Sequence, residues 1–235
     1  YGWAMDLSGA LRNAGFGITA SLPWDEATAV APALAADAAT ANSCLLVGNT
    51  RDLWPRFVAA YQGDAALRAS RDPFDQFVET ELQRCVGDRT IKYAHRSYAQ
   101  GYLPMQRLAV AAGLGVLAGT QLVIHPVCGP WFSLRAVILL KPTDAVVSQI
   151  AAAPSCEPPT CNHRCEPLFQ LAKQRGADAH WRDWLAPRAA CSVGSNWRFS
   201  DEQIIYHYTK DQRVIGTGAT LASYALLENS STFTC

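Results

Sequence analysis

The run AVILL, Ala136 to Leu140, constrains this chain more than any other stretch. Five consecutive apolar residues are far too few to span a bilayer, which takes about 20 in a helix, yet they leave a strand no polar face to show to water. Such a run reads as a strand buried inside a globular core. SCLLVGNT, Ser43 to Thr50, is a second continuous run, bounded by Gly48 and Asn49, and reads the same way. The first run closes a longer stretch, QLVIHPVCGPWFSLRAVILL (Gln121 to Leu140), that sets a His, a Trp-Phe pair and an Arg around it. A core strand needs only the apolar residues, so a large, flat, partly anionic ligand is expected on that surface.

Around these runs the periodicity alternates. MDLSGALRNAGF (Met5 to Phe16) has helical spacing and a Gly stop, and GITASLPW is extended. DLWPRFVAAYQGD reads as a helix with Pro55 in its first turn, where a missing N–H costs little. DPFDQFVETELQRCV is amphipathic, with Phe74, Phe77, Val78, Leu82 and Val86 on one face. TIKYAHRS reads as a strand and LPMQRLAVAAGLG as a helix feeding the strand QLVIHP. CGP between QLVIHP and GPWFSLRAVILL predicts a hairpin. Pro142 to Pro167 reads as loop with one helical turn, DEQIIYHYTKDQRV as a helix capped by Ser200, and the last twenty residues carry little signal. The class is α+β, with a mainly antiparallel sheet flanked by helices.

At 235 residues, 49% hydrophobic and 17% charged, the chain can bury a sizeable core. Twenty basic side chains cancel twenty acidic ones, so the basic excess expected of a nucleic-acid binder is missing. No membrane partner is expected either, and no signal-like opening is present, which predicts an intracellular setting, cytoplasmic or mitochondrial matrix. Of the eight cysteines, Cys44 and Cys128 read as buried strand or strand-end residues. Cys156, Cys161 and Cys165 fall within ten positions of one another, with Cys191 as a possible fourth member.

QLVIHPVCGPWFSLRAVILL, HWRDW (His180 to Trp184) and RFSDEQIIYHYTKDQR together resemble the cobalamin-processing CblC family, with weaker matches in DPFDQFVETELQR and LLVGNTRDLWPRF. The resemblance covers roughly residues 1–215, taken as one cobalamin-binding domain, with 216–235 as a C-terminal tail. It implies a flavin nitroreductase-like fold, cobalamin held base-off, and removal of its upper axial ligand. Alkylcobalamin would be dealkylated by glutathione, and cyanocobalamin decyanated with electrons from reduced FMN or FAD. A cobalamin-trafficking partner protein is implied as well. RLAVAAGLGVLAGTQLVIHPVCGPWF also resembles the corrinoid domains of epoxyqueuosine reductases and reductive dehalogenases, which are iron–sulfur enzymes. No carboxylate lies between Asp88 and Asp144, where an epoxyqueuosine reductase would place its acid. A third reading is a catalytically retired cobalamin fold acting as a binding or assembly subunit.

By the CblC resemblance, Thr120, Gln121, Val123, Ile124 and His125 form an edge for the corrin, and Trp131 and Phe132 a floor. Trp184 stands over the exposed axial face, and Phe199 lines the site. Arg135, Arg188 and Arg213 match the arginines that grip glutathione, whose carboxylates suit the guanidinium fork. Each residue also has a plainer reading. The aromatics could be core, His125 a hydrogen-bonded strand end, and Arg135 half of a salt bridge to Asp183 or Glu202. CEPPTCNHRCEP keeps one C-x3-C step of the ferredoxin-type pattern. Cys156, Cys161, Cys165 and Cys191, with His163 as an alternate ligand, could hold an iron–sulfur cluster or zinc, form disulfides or redox-active thiols, or be inert.

Overall fold

The computed structural model describes residues 7–37, 41–141, 144 and 163–231. The chain opens with α1 (Leu7–Asn13), β1 (Ile18–Pro23), α2 (Trp24–Val30) and β2 (Ser43–Asn49). Helices α3 (Leu53–Gly63), α4 (Ala65–Arg68) and α5 (Pro73–Val86) come next, then the short strands β3 (Ile91–Tyr93), β4 (Ser97–Tyr98) and β5 (Gly101–Tyr102). Beyond them lie α6 (Met105–Ala111), β6 (Val116–Leu117), β7 (Val123–Ile124) and β8 (Ser133–Leu140). The last part is helical: α7 (Cys165–Arg175), α8 (Trp181–Ala190), α9 (Asp201–Thr209) and α10 (Leu221–Ser231).

The main sheet has the order β1-β2-β8-β3, and every pairing in it is antiparallel. Its two central strands are the two apolar runs. Successive side chains of a strand point to opposite faces, and here both faces are covered. Leu45, Val47, Ala136, Ile138 and Leu140 pack on Phe57, Phe74, Phe77, Val78 and Leu82 from α3 and α5. Cys44, Leu46, Val137 and Leu139 pack on Ala27, Leu34, Leu108 and Ala109 on the other side. The unbroken apolar runs thus come from burial on two faces within an antiparallel α+β sheet. No described helix is long and apolar enough to cross a membrane.

Three expectations change. The QLVIHP–GPWFSLRAVILL hairpin does not form: β7 pairs with β6 (Val116↔Ile124, Leu117↔Val123), while β8 lies between β2 and β3. The reason is local. His125 and Gly129 exchange both backbone hydrogen bonds, 3.0 and 2.8 Å, across a tight loop with Gly129 at φ +58°. That loop uses up the pairing at Gly129, so the chain from Pro130 onward enters the other sheet. A helix, α7, occupies the end of the segment expected to be mostly loop, whose residues 142–143 and 145–162 lie outside the described residues. The supposedly signal-poor tail contains α10, whose Glu228 accepts from Trp181 Nε1 (2.8 Å) and from the Arg182 guanidinium.

Glu202, buried near the start of α9, ties the helical layer to α3 and to the chain after α9. It accepts from Trp54 Nε1 (2.9 Å), Gly216 N (3.0 Å) and Gly218 N (2.6 Å). Removing the carboxylate strands three donors, and each buried unpaired group costs about 1–3 kcal/mol. Glu202→Ala should therefore lower the unfolding free energy by at least about 2 kcal/mol in chemical denaturation, against a change below about 0.5 kcal/mol for the exposed Arg84→Ala.

Candidate functional site

Arg135 stands where β8 slips against β2. Val47 opposes Ala136 and Gly48 opposes Leu134, which leaves Arg135 as the extra residue of a β-bulge. Its Nε donates to Asn49 Oδ1 at 2.6 Å, and its guanidinium lies over the Phe74 ring, 4.7 Å from the centroid. Nη2 is buried with no hydrogen-bond partner among the described residues. Burial pushes the guanidinium down to about 10, opposed by Asp75, Tyr206 and Asp72 and reinforced by Arg188. Neither salt-bridge partner considered for it is engaged with it: Asp183 binds Arg175, and Glu202 binds Trp54 and the two glycine amides.

The second arginine arrives on α8. His180 Nδ1 accepts from Arg182 N (3.3 Å) and Asp183 accepts from His180 N (2.9 Å), which caps the helix of the HWRDW motif. Seven residues after Trp181, Arg188 lies over Trp131 and Phe199 (5.8 and 6.0 Å), and its Nε is buried with no partner among the described residues. Arg135 and Arg188 share a cavity of about 320 Å³ with Met105, Leu122, Val123, Phe132 and Ser133. Two guanidiniums in one lining give the cavity the positive charge that suits an anionic group.

The other predicted residues divide. Val123 and Phe132 line this cavity, and Gln121, at φ +61°, borders it by accepting from Gln106 Nε2 at 2.9 Å. Thr120 is buried, and its Oγ1 has no partner among the described residues. Ile124 is buried against Ala118 and Cys191. Trp131, 2% exposed, packs with Phe199, Leu185 and Ile204, so these two rings support Arg188 from the core. Trp184 is 39% exposed and meets Phe169 edge-on, centroids 6.2 Å apart. Arg213 is not among the residues lining the cavity. Its side chain is 81% exposed, and Nε and Nη2 bond Asp211 at 2.9 and 2.7 Å.

His125 Nδ1 accepts from Val127 N (3.1 Å) and Cys128 N (3.3 Å), so the neutral ring carries its proton on Nε2. Burial lowers its pKa. It lines a second cavity, about 220 Å³, with Thr50, Asp52, Cys128 and Trp197. Cys156 and Cys161 lie outside the described residues. Cys191 packs against Ala118, and the side chain of Glu166, the residue after Cys165, abuts Gly119. Among the described residues no group of three or more His, Cys, Asp or Glu could hold a metal.

Two site residues escape the sequence patterns. Asn49 reads only as the end of a strand, and nothing in GNT announces an arginine partner 86 positions away. His207 reads only as part of a helix. It sits edge-on to Phe74 (5.0 Å, 84°), held well below the ordinary histidine range by burial and then by Arg135, Lys210 and Arg188.

No protein-family profile matches the chain. It is similar to the cyanocobalamin reductase / alkylcobalamin dealkylase of Mus musculus, 35% identical over 95 residues, which cover 39% of this chain and 30% of that protein. The Homo sapiens protein of the same name is 35% identical over 88 residues, 37% of this chain and 27% of that one. The matched region thus spans less than a third of either relative. The crystal structure of a C. elegans B12-trafficking protein CblC superposes with a TM-score of 0.56 at 12% identity, covering 91% of this chain and 94% of that one. The two chains share a fold.

The two lowered histidines set a pH response. Below about 6.5, the ordinary histidine value, the unfolded chain takes up protons that the native His125 and His207 refuse. Stability is then full above that pH and declines as pH falls, by up to about 1.4 kcal/mol per pH unit from His207 and by less from the part-exposed His125, whose shift solvent screens. The depressed carboxylates Glu79 and Asp201 add their loss only below about 4.5. Denaturation between pH 7 and 5 should show the decline, and His207→Phe, which keeps the ring packing, should flatten it.

Proposed function

We propose that this protein binds cobalamin base-off and removes its upper axial ligand. The curated relatives are named for these reactions, and the fold likeness to the C. elegans protein is consistent with them. The observation that carries the reading is the cavity that Arg135 and Arg188 line together, each guanidinium also having a buried N–H group with no partner among the described residues. Its size and charge suit glutathione, whose carboxylates would complete both guanidiniums. Arg213, held on Asp211, is outside this assignment.

A corrin ring is broader than either cavity, so the macrocycle would lie across their mouths, beside His125 and Phe132, with the exposed Trp184 available to cover its upper face. Cobalt without a nitrogen donor below it reaches its lower-valent states more readily. In dealkylation the glutathione thiolate attacks the alkyl carbon. An S–C bond forms, the Co–C bond breaks, and its electron pair stays on cobalt as cob(I)alamin. The protein supplies no catalytic base. Its arginines favour the thiolate and align sulfur, carbon and cobalt. Decyanation instead requires electrons, which we assign to a reduced FMN or FAD on a flavin nitroreductase-like fold, with cyanide leaving.

Methylcobalamin titrated with the protein should shift to the base-off spectrum; an unchanged spectrum at saturating protein would sink the proposal. Arg135→Ala and Arg188→Ala should each weaken glutathione-dependent dealkylation by roughly 10–100-fold, the value of a charge-assisted hydrogen bond, while still converting cobalamin to base-off. Trp184→Ala removes a partly exposed ring. It should stay within about 1 kcal/mol of wild-type stability yet convert cobalamin less completely, because water could re-enter the cobalt coordination site.

A further inference from the structure

Bulges redirect a side chain, and the one at Arg135 is built from both strands. Gly48 permits it: a Cβ there would stand 2.6 Å from the Ser133 carbonyl oxygen. The next residue, Asn49, is completely buried. Its Nδ2 donates to Thr50 O at 2.7 Å, while its Oδ1 accepts from Arg135 Nε at 2.6 Å. That pair of bonds sets the amide's orientation, since the flipped form would oppose two donors at one end and two acceptors at the other. Phe74 closes the third side, beneath the guanidinium plane. With Nε tied and the plane seated on a ring, the remaining N–H groups have one direction, and Nη2 is left unpartnered among the described residues.

We propose that Asn49 is a positioning residue for Arg135: it holds the guanidinium so that the free edge of its fork faces the anionic ligand of the cavity. The proposal rests on the reading of that cavity as the glutathione site. Arginine carries several flexible torsions, and a fork left to rotate would have to be ordered at the expense of binding. Asn49 orders it before the ligand arrives. Asn49 touches neither ligand in this scheme, so its effect passes entirely through Arg135.

Two readouts test this. The Arg135 Nε–Hε proton should give a distinct, slowly exchanging NMR signal, assigned by its absence in Arg135→Lys and lost in Asn49→Ala. In calorimetry on the cobalamin-loaded protein, Asn49→Ala should bind glutathione about tenfold more weakly, with base-off conversion unchanged. On an Arg135→Ala background the same substitution should cost nothing further, because the two residues act as one unit. If Asn49→Ala does not fold, Asn49→Asp decides. It should keep the Nε–Hε signal and still lose glutathione affinity, since the new carboxylate neutralises the guanidinium. Unchanged affinity in the folded variant, or additive losses in the double variant, overturns the proposal. Should wild type bind no glutathione, the functional reading of the cavity fails. The NMR signal then decides alone: its loss in Asn49→Ala upholds the positioning role, and its survival there overturns it.

Discussion

A guanidinium on a strand covered from both sides is costly unless its N–H groups and its charge are met. Arg135 meets that demand three ways: Asn49 takes Nε, the Phe74 face takes the charge, and the bulge turns the rest toward a cavity. Each solution recruits a different layer. Asn49 belongs to the neighbouring central strand, Phe74 to α5, and the cavity wall to α6, the chain from β7 to β8, and α8. Phe74 therefore serves the core and the site at once. Its packing against Trp54, Phe57 and Tyr206 is also what steadies the surface under the charge.

The same positive field reinforces what burial does to His207. Desolvation first, and then Arg135, Lys210 and Arg188, hold its ring well below the ordinary histidine range. It packs as an aromatic with one polar edge, turned to Gln203 at 3.3 Å. Stability near neutral pH and ligand binding thus draw on one cluster of charges.

Helix α8 shows how one motif splits its work by helical spacing. Trp181 and Arg182 are fastened to Glu228 of α10, and Leu185 is buried. Arg188 shares a face with Leu185 at i−3 and with Trp184 at i−4: Leu185 is buried, Arg188 lines the cavity, and Trp184 stands at the exposed edge of that face. The conspicuous residues of HWRDW are therefore partly anchors. Their anchor is a helix in the stretch that carried the least periodic signal, because α10, among its described residues, adds only Leu221 and Tyr224 to the core and is otherwise held by polar contacts at Glu228 and the Tyr224 hydroxyl.

Local patterns were enough to identify the central strands, the amphipathic α5 and the capped α9, because burial and capping write themselves into neighbouring residues. Arg135 too was legible, since a charge inside an apolar run is conspicuous, whereas Arg188 and Arg213 were singled out by the family resemblance. The false hairpin arose because CGP marks a turn without saying which strands the turn joins; the His125–Gly129 exchange, a matter of backbone geometry, decided that. Residue order alone dictates that a doubly buried sheet carries Arg135 and that an aromatic, basic motif lies downstream of it. Packing in three dimensions brings Arg188 to the same cavity, keeps Arg213 on Asp211, and makes Asn49 the partner of Arg135. The bond of Arg135 to Asn49 and the cavity it shares with Arg188 join residues far apart in the chain. Strand order and helix docking create them, and no local periodicity encodes either.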